Sequence, residues 1–374
     1  MSLAALVIAT FFVPVSASQA SAAGDSLDVK IGQMIMTGFR GLTVRPGSAI
    51  AEDIRTLHLG GVVLFDFDVA TKEYGRNIAS PMQLLQLTSD LQEASHIPLF
   101  IAVDQEGGTV ARLKARSGFP KNVSHAYLGN VNVDDTTRYY ADIMARSLSV
   151  GGINVNFSPV VDLNVNPSNP VIGKLGRSIS AKPDITAHHA GLMIDAMHDW
   201  GVLSAVKHFP GHGSSRADSH MGFVDVSETW SKTELLPYRS LIKEGKPDMV
   251  MTAHIFNRGL DDALPATLSR KTIDGLLRTD LGYDGVVVSD DLMMKAIADD
   301  YGMETAIEKA VLAGIDILLF ANNTYTYEPD IARKAFSILK SLVERGVITR
   351  ERIDISFRRI MKLKGKMTGN RLER

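Results

Sequence analysis

One stretch of the chain gathers more reactive side chains than any other. Lys207-His208-Phe209-Pro210-Gly211-His212-Gly213-Ser214-Ser215-Arg216-Ala217-Asp218-Ser219-His220 leaves an apolar run, turns at Pro-Gly, crosses small residues and delivers Asp218 and His220 two positions apart. An Asp-x-His pair on an extended loop can set the carboxylate against the imidazole, orienting the ring and raising its proton affinity. That is the requirement on a general acid near neutral pH. The glycines and serines allow such a loop to move in and out of a pocket.

A second stretch, Gly285-Val286-Val287-Val288-Ser289-Asp290-Asp291-Leu292-Met293, ends an apolar run in two carboxylates. A carboxylate at the tip of a buried strand is rigidly held and partly dehydrated, which suits a nucleophile attacking a carbon that becomes cationic. Asp290 is the natural tip, and Asp291 is expected to point away or cap the next segment. A helix N-cap at Asp290 is the alternative reading. His208, His212, Asp218, His220 and His254 together also admit a metal site. Against it, Pro210 and Gly211 forbid the regular helix that the His208-x-x-x-His212 spacing would need.

Residues of this kind need a scaffold that brings them to one place. Eight short, nearly continuous apolar runs alternate with longer amphipathic stretches: 33–39, 61–65, 98–104, 154–160, 203–209, 248–255, 285–290 and 316–322. Continuous apolarity is the mark of strands buried on both faces of a parallel sheet. Helical patterns lie between them. One opens at Ser80-Pro81, one runs from Asp184 to Trp200 and stops at Gly201, one has Ser231 and Glu234 in capping-box spacing, and two (330–345 and 350–361) close the chain. The basic tail after Lys362 is expected to be frayed and solvated. Eight alternating units predict an α/β fold, a single (β/α)8 barrel with extended loops. A doubly wound open sheet is the alternative, but no Gly-x-Gly-x-x-Gly follows the first strand.

Barrel chemistry sits at the carboxyl ends of the strands. Those ends carry Asp104-Gln105-Glu106, then Ser158, Asp162 and Asn164, then Lys207-His208, His254, Asp290-Asp291 and Asn322-Asn323. Their convergence makes a polar pocket able to hold a polyhydroxylated ligand.

Composition narrows the classes further. The 374 residues contain 40 basic and 42 acidic side chains, without the basic excess of a nucleic-acid binder. The absence of cysteine excludes disulfides, thiolate metal sites and a cysteine nucleophile. Residues 1–24 carry no charge, and the apolar run Leu3–Val15 is followed by small residues. A run this far short of the roughly 20 residues of a spanning helix reads as a cleavable export signal over residues 1–23. Residues 24–374 then form the catalytic barrel, acting in the periplasm or outside the cell with no stable membrane insertion.

The motif Lys-His-Phe-Pro-Gly-His-Gly, four residues, then Asp-Ser-His resembles that of the β-N-acetylglucosaminidases (β-N-acetylhexosaminidases) of glycoside hydrolase family 3. Other blocks agree in order: 103–108 (VDQEGG), 156–162 (NFSPVVD), 176–178 (GRS), 251–254 (MTAH) and 289–292 (SDDL). The resemblance implies a retaining exo-hydrolase of a single-domain (β/α)8 type. Asp290 falls at the family's nucleophile, His220 at its acid/base and Asp218 at that residue's partner. Asp104, Arg112, Arg177, Lys207 and His208 fall where the sugar is held beside the cleaved bond. The expected substrates are small N-acetylglucosaminides, cell-wall fragments or chitin oligomers. No cofactor and no metal are required, and a monomer is expected. Thr109 departs from the family's usual Arg after the double glycine, and 214–217 lacks the acidic residues many relatives carry. An N-acetylglucosaminide phosphorylase, a β-glucosidase of the same family and a metal-dependent barrel hydrolase are the alternatives. With Trp200 and Trp230 the only tryptophans, no aromatic platform for long chains is evident, which favours removal of one terminal sugar.

Overall fold

In the computed structural model, which describes residues 26–219 and 221–369, every one of the eight apolar runs contains a strand. In chain order the strands are β1 (Ile35–Gly38), β2 (Gly61–Val63), β3 (Phe67–Asp68), β4 (Glu73–Tyr74), β5 (Phe100–Val103), β6 (Val155–Asn156), β7 (Leu203–Phe209), β8 (Met249–Thr252), β9 (Val286–Val288) and β10 (Leu318–Phe320). Eight of them pair in parallel in the order β10-β1-β2-β5-β6-β7-β8-β9. A parallel bridge between Val288 and Ile317, with Ser289 N–H donating to the Ile317 carbonyl, joins the two ends of the sheet. The sheet is thus a (β/α)8 barrel, and all residues of its eight strands are buried. β3 and β4 form a separate antiparallel hairpin beyond β2. No helix among the described residues is long and apolar enough to cross a membrane.

Helix boundaries follow local chemistry. Ser80 Oγ accepts the Gln83 N–H ahead of helix Pro81–Glu93, and helix Pro183–Asp199 stops before Gly201, whose φ is +70°. Two expectations fail. Ser231 and Glu234 make no capping box: Ser231 gives no side-chain cap, and Glu234 is buried with Oε2 2.9 Å from the Gly213 N–H. Glu234 turns inward because that loop amide needs an acceptor away from water. From Leu363 to Gly369 the segment after Lys362 is not frayed either, and residues 370–374 lie outside the described residues. The last helix runs Arg350–Gly369, with Leu363 and Lys364 buried. Lys364 Nζ donates to Gln33 Oε1 (2.7 Å) and to the Gly60 carbonyl (2.9 Å), so an amine head lies beneath the barrel floor with neutral acceptors supplied, and burial holds its pKa well below the ordinary value. Residues 1–23 and His220 lie outside the described residues.

Candidate active site

β7 carries the first two site residues at its carboxyl end. Lys207 Nζ lies 2.7 Å from Asp104 Oδ1, past the end of β5, and 2.7 Å from Glu106 Oε1. Glu106 also receives Arg177 in bidentate fashion, from Nε and Nη2 at 2.7 Å each. Arg177 Nη2 lies 3.2 Å from His208 Nε2, and His208 Nδ1 lies 2.7 Å from Asp162 Oδ2. Arg112 Nη2 reaches Asp104 Oδ2 at 3.3 Å. The result is a continuous relay, Arg112–Asp104–Lys207–Glu106–Arg177–His208–Asp162, in which cations alternate with carboxylates. Arg177 has only donors, so His208 Nε2 accepts and Nδ1 carries the proton to Asp162.

Burial would push these carboxyls up, but their neighbours prevail. Desolvation opposes ionisation of Asp104, and Lys207 with Arg112 outweighs it, leaving the pKa below its ordinary value. At Glu106 the same contest, against Arg177 and Lys207, ends well below the ordinary value. Asp162 is fully buried and held low by His208 and the His212 amide. The relay thus sets three carboxyl groups, each held below its ordinary pKa, against Lys207, Arg112 and Arg177 at one end of the barrel.

The loop after β7 is anchored close to this relay. Asp162 Oδ1 accepts the His212 N–H at 2.7 Å, and Trp230 Nε1 donates to the Pro210 carbonyl at 3.1 Å. A Cβ at Gly213 would sit 1.8 Å from the Leu163 carbonyl oxygen, so only glycine passes there. His212 is buried, and burial drives its pKa down to about 4 despite nearby Asp162. Its Nε2 is 3.4 Å from Ser219 Oγ. From these anchors the loop delivers Asp218 to the pocket.

Past the end of β9, Asp290 and Asp291 both line the pocket, with different hydrogen-bond partners. Asp291 Oδ1 accepts the Met293 and Ala321 N–H groups at 3.1 and 2.9 Å, while Asp290 Oδ1 lies 2.8 Å from the Asp291 N–H. His254 Nε2 donates to the Asp291 carbonyl at 2.9 Å and braces this turn from β8. His208, His212 and His254 thus face three different sets of partners, and among the described residues no three His, Asp or Glu side chains converge on one point.

A cavity of about 800 Å³ opens at the carboxyl ends of the strands, lined by Asp104, Arg112, Arg177, Lys207, His208, Asp218 and Asp290. The described residues to which the resemblance gave a role therefore line one pocket, whereas Gln105, Ser158, Asp162, Asn164, His254 and Asn322, also read at the strand ends, do not line it. Glu106 and Asp162 were quoted there without a role, yet they hold Arg177, Lys207 and His208 in place. The available signal was charge balance: two buried cations near Asp104 demand a further carboxylate. Gln105, also unassigned, accepts the Arg112 and Leu113 N–H groups and fixes the loop that carries Arg112.

A model of the glycosyl hydrolase family 3 N terminal domain matches residues 26–363. The chain belongs to glycosyl hydrolase family 3. The resemblance read from the loop motif holds down to its branch. A protein named beta-hexosaminidase A from Pseudoalteromonas piscicida is 34% identical over 90% of this chain and 60% of its own length. Beta-hexosaminidase LpqI of Mycobacterium tuberculosis is 32% identical over 91% of this chain and 83% of its own length. A family 3 beta-N-acetylglucosaminidase structure from Paenibacillus sp. superposes with a TM-score of 0.84 at 37% identity, covering 92% of this chain and 63% of that one. A beta-N-acetylhexosaminidase structure from Beutenbergia cavernae superposes at 0.80 and 27% identity, covering 91% of this chain and 98% of that one. The chain thus spans under two thirds of some relatives and nearly all of others.

Proposed function

We propose that this family 3 glycoside hydrolase is a retaining exo-β-N-acetylglucosaminidase that removes terminal N-acetylglucosamine from small cell-wall fragments or chitin oligomers. The observation that carries this reading is the meeting of Asp290 and Asp218 in one pocket with the Asp104–Lys207–Arg177 relay. Asp290 attacks the anomeric carbon through an oxocarbenium-like transition state and forms a glycosyl ester. His220, oriented by Asp218, gives its proton to the departing oxygen and then takes one from the incoming water, which cleaves the ester. Lys207 donates to Asp104 and pairs electrostatically with Glu106, and a further N–H of its ammonium serves a sugar hydroxyl or amide. Arg112 and Asp104 are the partly exposed members of the relay and contact the sugar directly. Export under the direction of residues 1–23, and hence action in the periplasm or outside the cell, is part of the same proposal.

The test is intact-protein mass spectrometry after incubation with a slow 2-acetamido fluorosugar. A mass gain of one sugar mapped to Asp290 is expected. A label on another carboxylate reassigns the nucleophile, and release of product with inverted anomeric configuration refutes the mechanism.

A further inference from the structure

The relay explains how one sugar is held, but the pocket continues past it. Its wall includes Tyr325, which is 68% exposed. Among the described residues the other aromatic side chains lining the cavity are Phe65, Phe157 and Phe320, all buried, and Phe67, which is partly covered and packs on Tyr74 at 4.8 Å. Among the described aromatic rings that line the cavity, Tyr325 is the most exposed to whatever fills the mouth.

The segment that presents it is held at both ends. Asn322, at φ +52°, accepts the Glu328 N–H at 2.9 Å and donates to the Glu328 carbonyl at 2.8 Å, closing the loop on itself. Asn323 donates to the Phe67 carbonyl and accepts from the Val69 N–H, tying the loop to the β3–β4 hairpin. Tyr327 is used differently from its neighbour two positions back: its ring lies 4.2 Å from the Arg40 guanidinium and pins the loop's return. A ring exposed on a loop so constrained has lost its freedom before any ligand arrives, which reduces the cost of ordering on binding.

Position supplies the ligand class. β10, which leads into this loop, meets β9 at the bridge that closes the barrel, and Asp290 lies two residues past the end of β9. Met221, 62% exposed on the loop after β7, lines the same cavity. The charged relay suits the polar edges of a sugar, whereas a bare ring and a thioether suit the apolar face of one.

We propose that Tyr325 is a specificity-determining residue of an aglycone subsite, stacking on the second pyranose of a β-linked N-acetylglucosaminyl disaccharide or longer oligomer. The inference rests on the glycosidase reading above and names the part of the substrate beyond the cleaved bond.

The experiment compares wild type, Tyr325→Ala and Tyr325→Phe on N,N′-diacetylchitobiose and on methyl β-N-acetylglucosaminide, reading the ratio of the two kcat/KM values. A ratio does not depend on the fraction of folded enzyme. The Ala variant is expected to lower it about tenfold, or ~1.4 kcal/mol, and the Phe variant to restore most of it. A ratio unchanged by Tyr325→Ala, or a Phe variant as poor as Ala, overturns the subsite. No turnover of either glycoside by the wild type is a different failure, and removes the glycosidase reading itself.

Discussion

Glu106→Gln is the substitution that isolates the relay, because it keeps shape and removes charge. Glu106 is 1% exposed, accepts two N–H groups from Arg177 at 2.7 Å each, and forms an ion pair with Lys207 Nζ at 2.7 Å. At an effective dielectric near 20, a unit charge pair at that distance attracts by roughly 6 kcal/mol before desolvation is subtracted. Desolvation offsets much of this, yet breaking a buried pair from one side still costs about 3–5 kcal/mol, since the partner stays buried and unpaired. That is a large share of a typical domain's roughly 5–15 kcal/mol. Urea denaturation followed by the fluorescence of Trp200 and Trp230 reads the loss, with equal m values required for the comparison. Arg177→Met should cost a similar amount. The double variant should cost less than the two together by at least about 2 kcal/mol, because each removal deletes the other's stranded charge. A Glu106→Gln loss under about 1 kcal/mol, or strict additivity, would show that the relay does not hold its members by mutual compensation.

Asp290→Asn should lower kcat by at least about 10³-fold, with an unchanged circular dichroism spectrum; substantial remaining turnover places the nucleophile elsewhere. His220→Ala should slow glycosides with poor leaving groups by about 10²–10⁴-fold and activated aryl glycosides far less, with Asp218→Ala a milder copy. Equal losses across a leaving-group series would contradict the acid/base pair. Glu234 gives a pH prediction. Burial, reinforced by Asp162, raises its pKa to about 7 against the Gly213 N–H bond that lowers it. The folded chain then binds this proton more tightly than the unfolded one. The resulting stability is full below pH ~4.5 and lost as pH rises through 7, by about 3 kcal/mol in all. Glu234→Gln should flatten that slope in denaturation curves between pH 5 and 8, and an unaltered slope would show that Glu234 is not its source.

The barrel was legible because strands buried on both faces leave uninterrupted apolar runs. The reading fails where apolarity has another cause. Residues 154–160 read as one strand, yet only Val155–Asn156 pair in a ladder, and Val160 makes an isolated bridge to Lys207. Phe157 and Val160 are apolar because they are buried, and Pro159 has no N–H to extend the ladder. The β3–β4 hairpin has two residues per strand, too short for any period to show. Glu234 matched a capping box by spacing and answered instead to a loop amide 21 residues away. In the site, residue types were readable at the strand ends, but their pairing was not. Lys207 meets Asp104 across 103 residues and Arg177 meets Glu106 across 71, separations that only the closed barrel makes short.

Both ends of the barrel bury carboxylates against cations, and the difference between them separates stability from chemistry. At the lower end Asp316 accepts from Arg278 at 2.7 Å and Ser356 at 2.6 Å, and Asp248 from His198 at 2.6 Å and Lys366 at 2.8 Å. The C-terminal helix that supplies Ser356, Lys364 and Lys366 covers the strand starts, so these groups are satisfied within the protein. At the upper end the relay borders the open cavity. Asp104 and Arg112 keep about a fifth of their side-chain surface exposed, and Lys207, hydrogen-bonded to Asp104, lines that cavity. A network that does not border that cavity, as that of Asp248, Arg278 and Asp316 does not, holds the fold. One that borders it, beside a carboxylate at the tip of β9, has capacity for a ligand rich in hydroxyls, and the barrel's long-range closure is what keeps it in place.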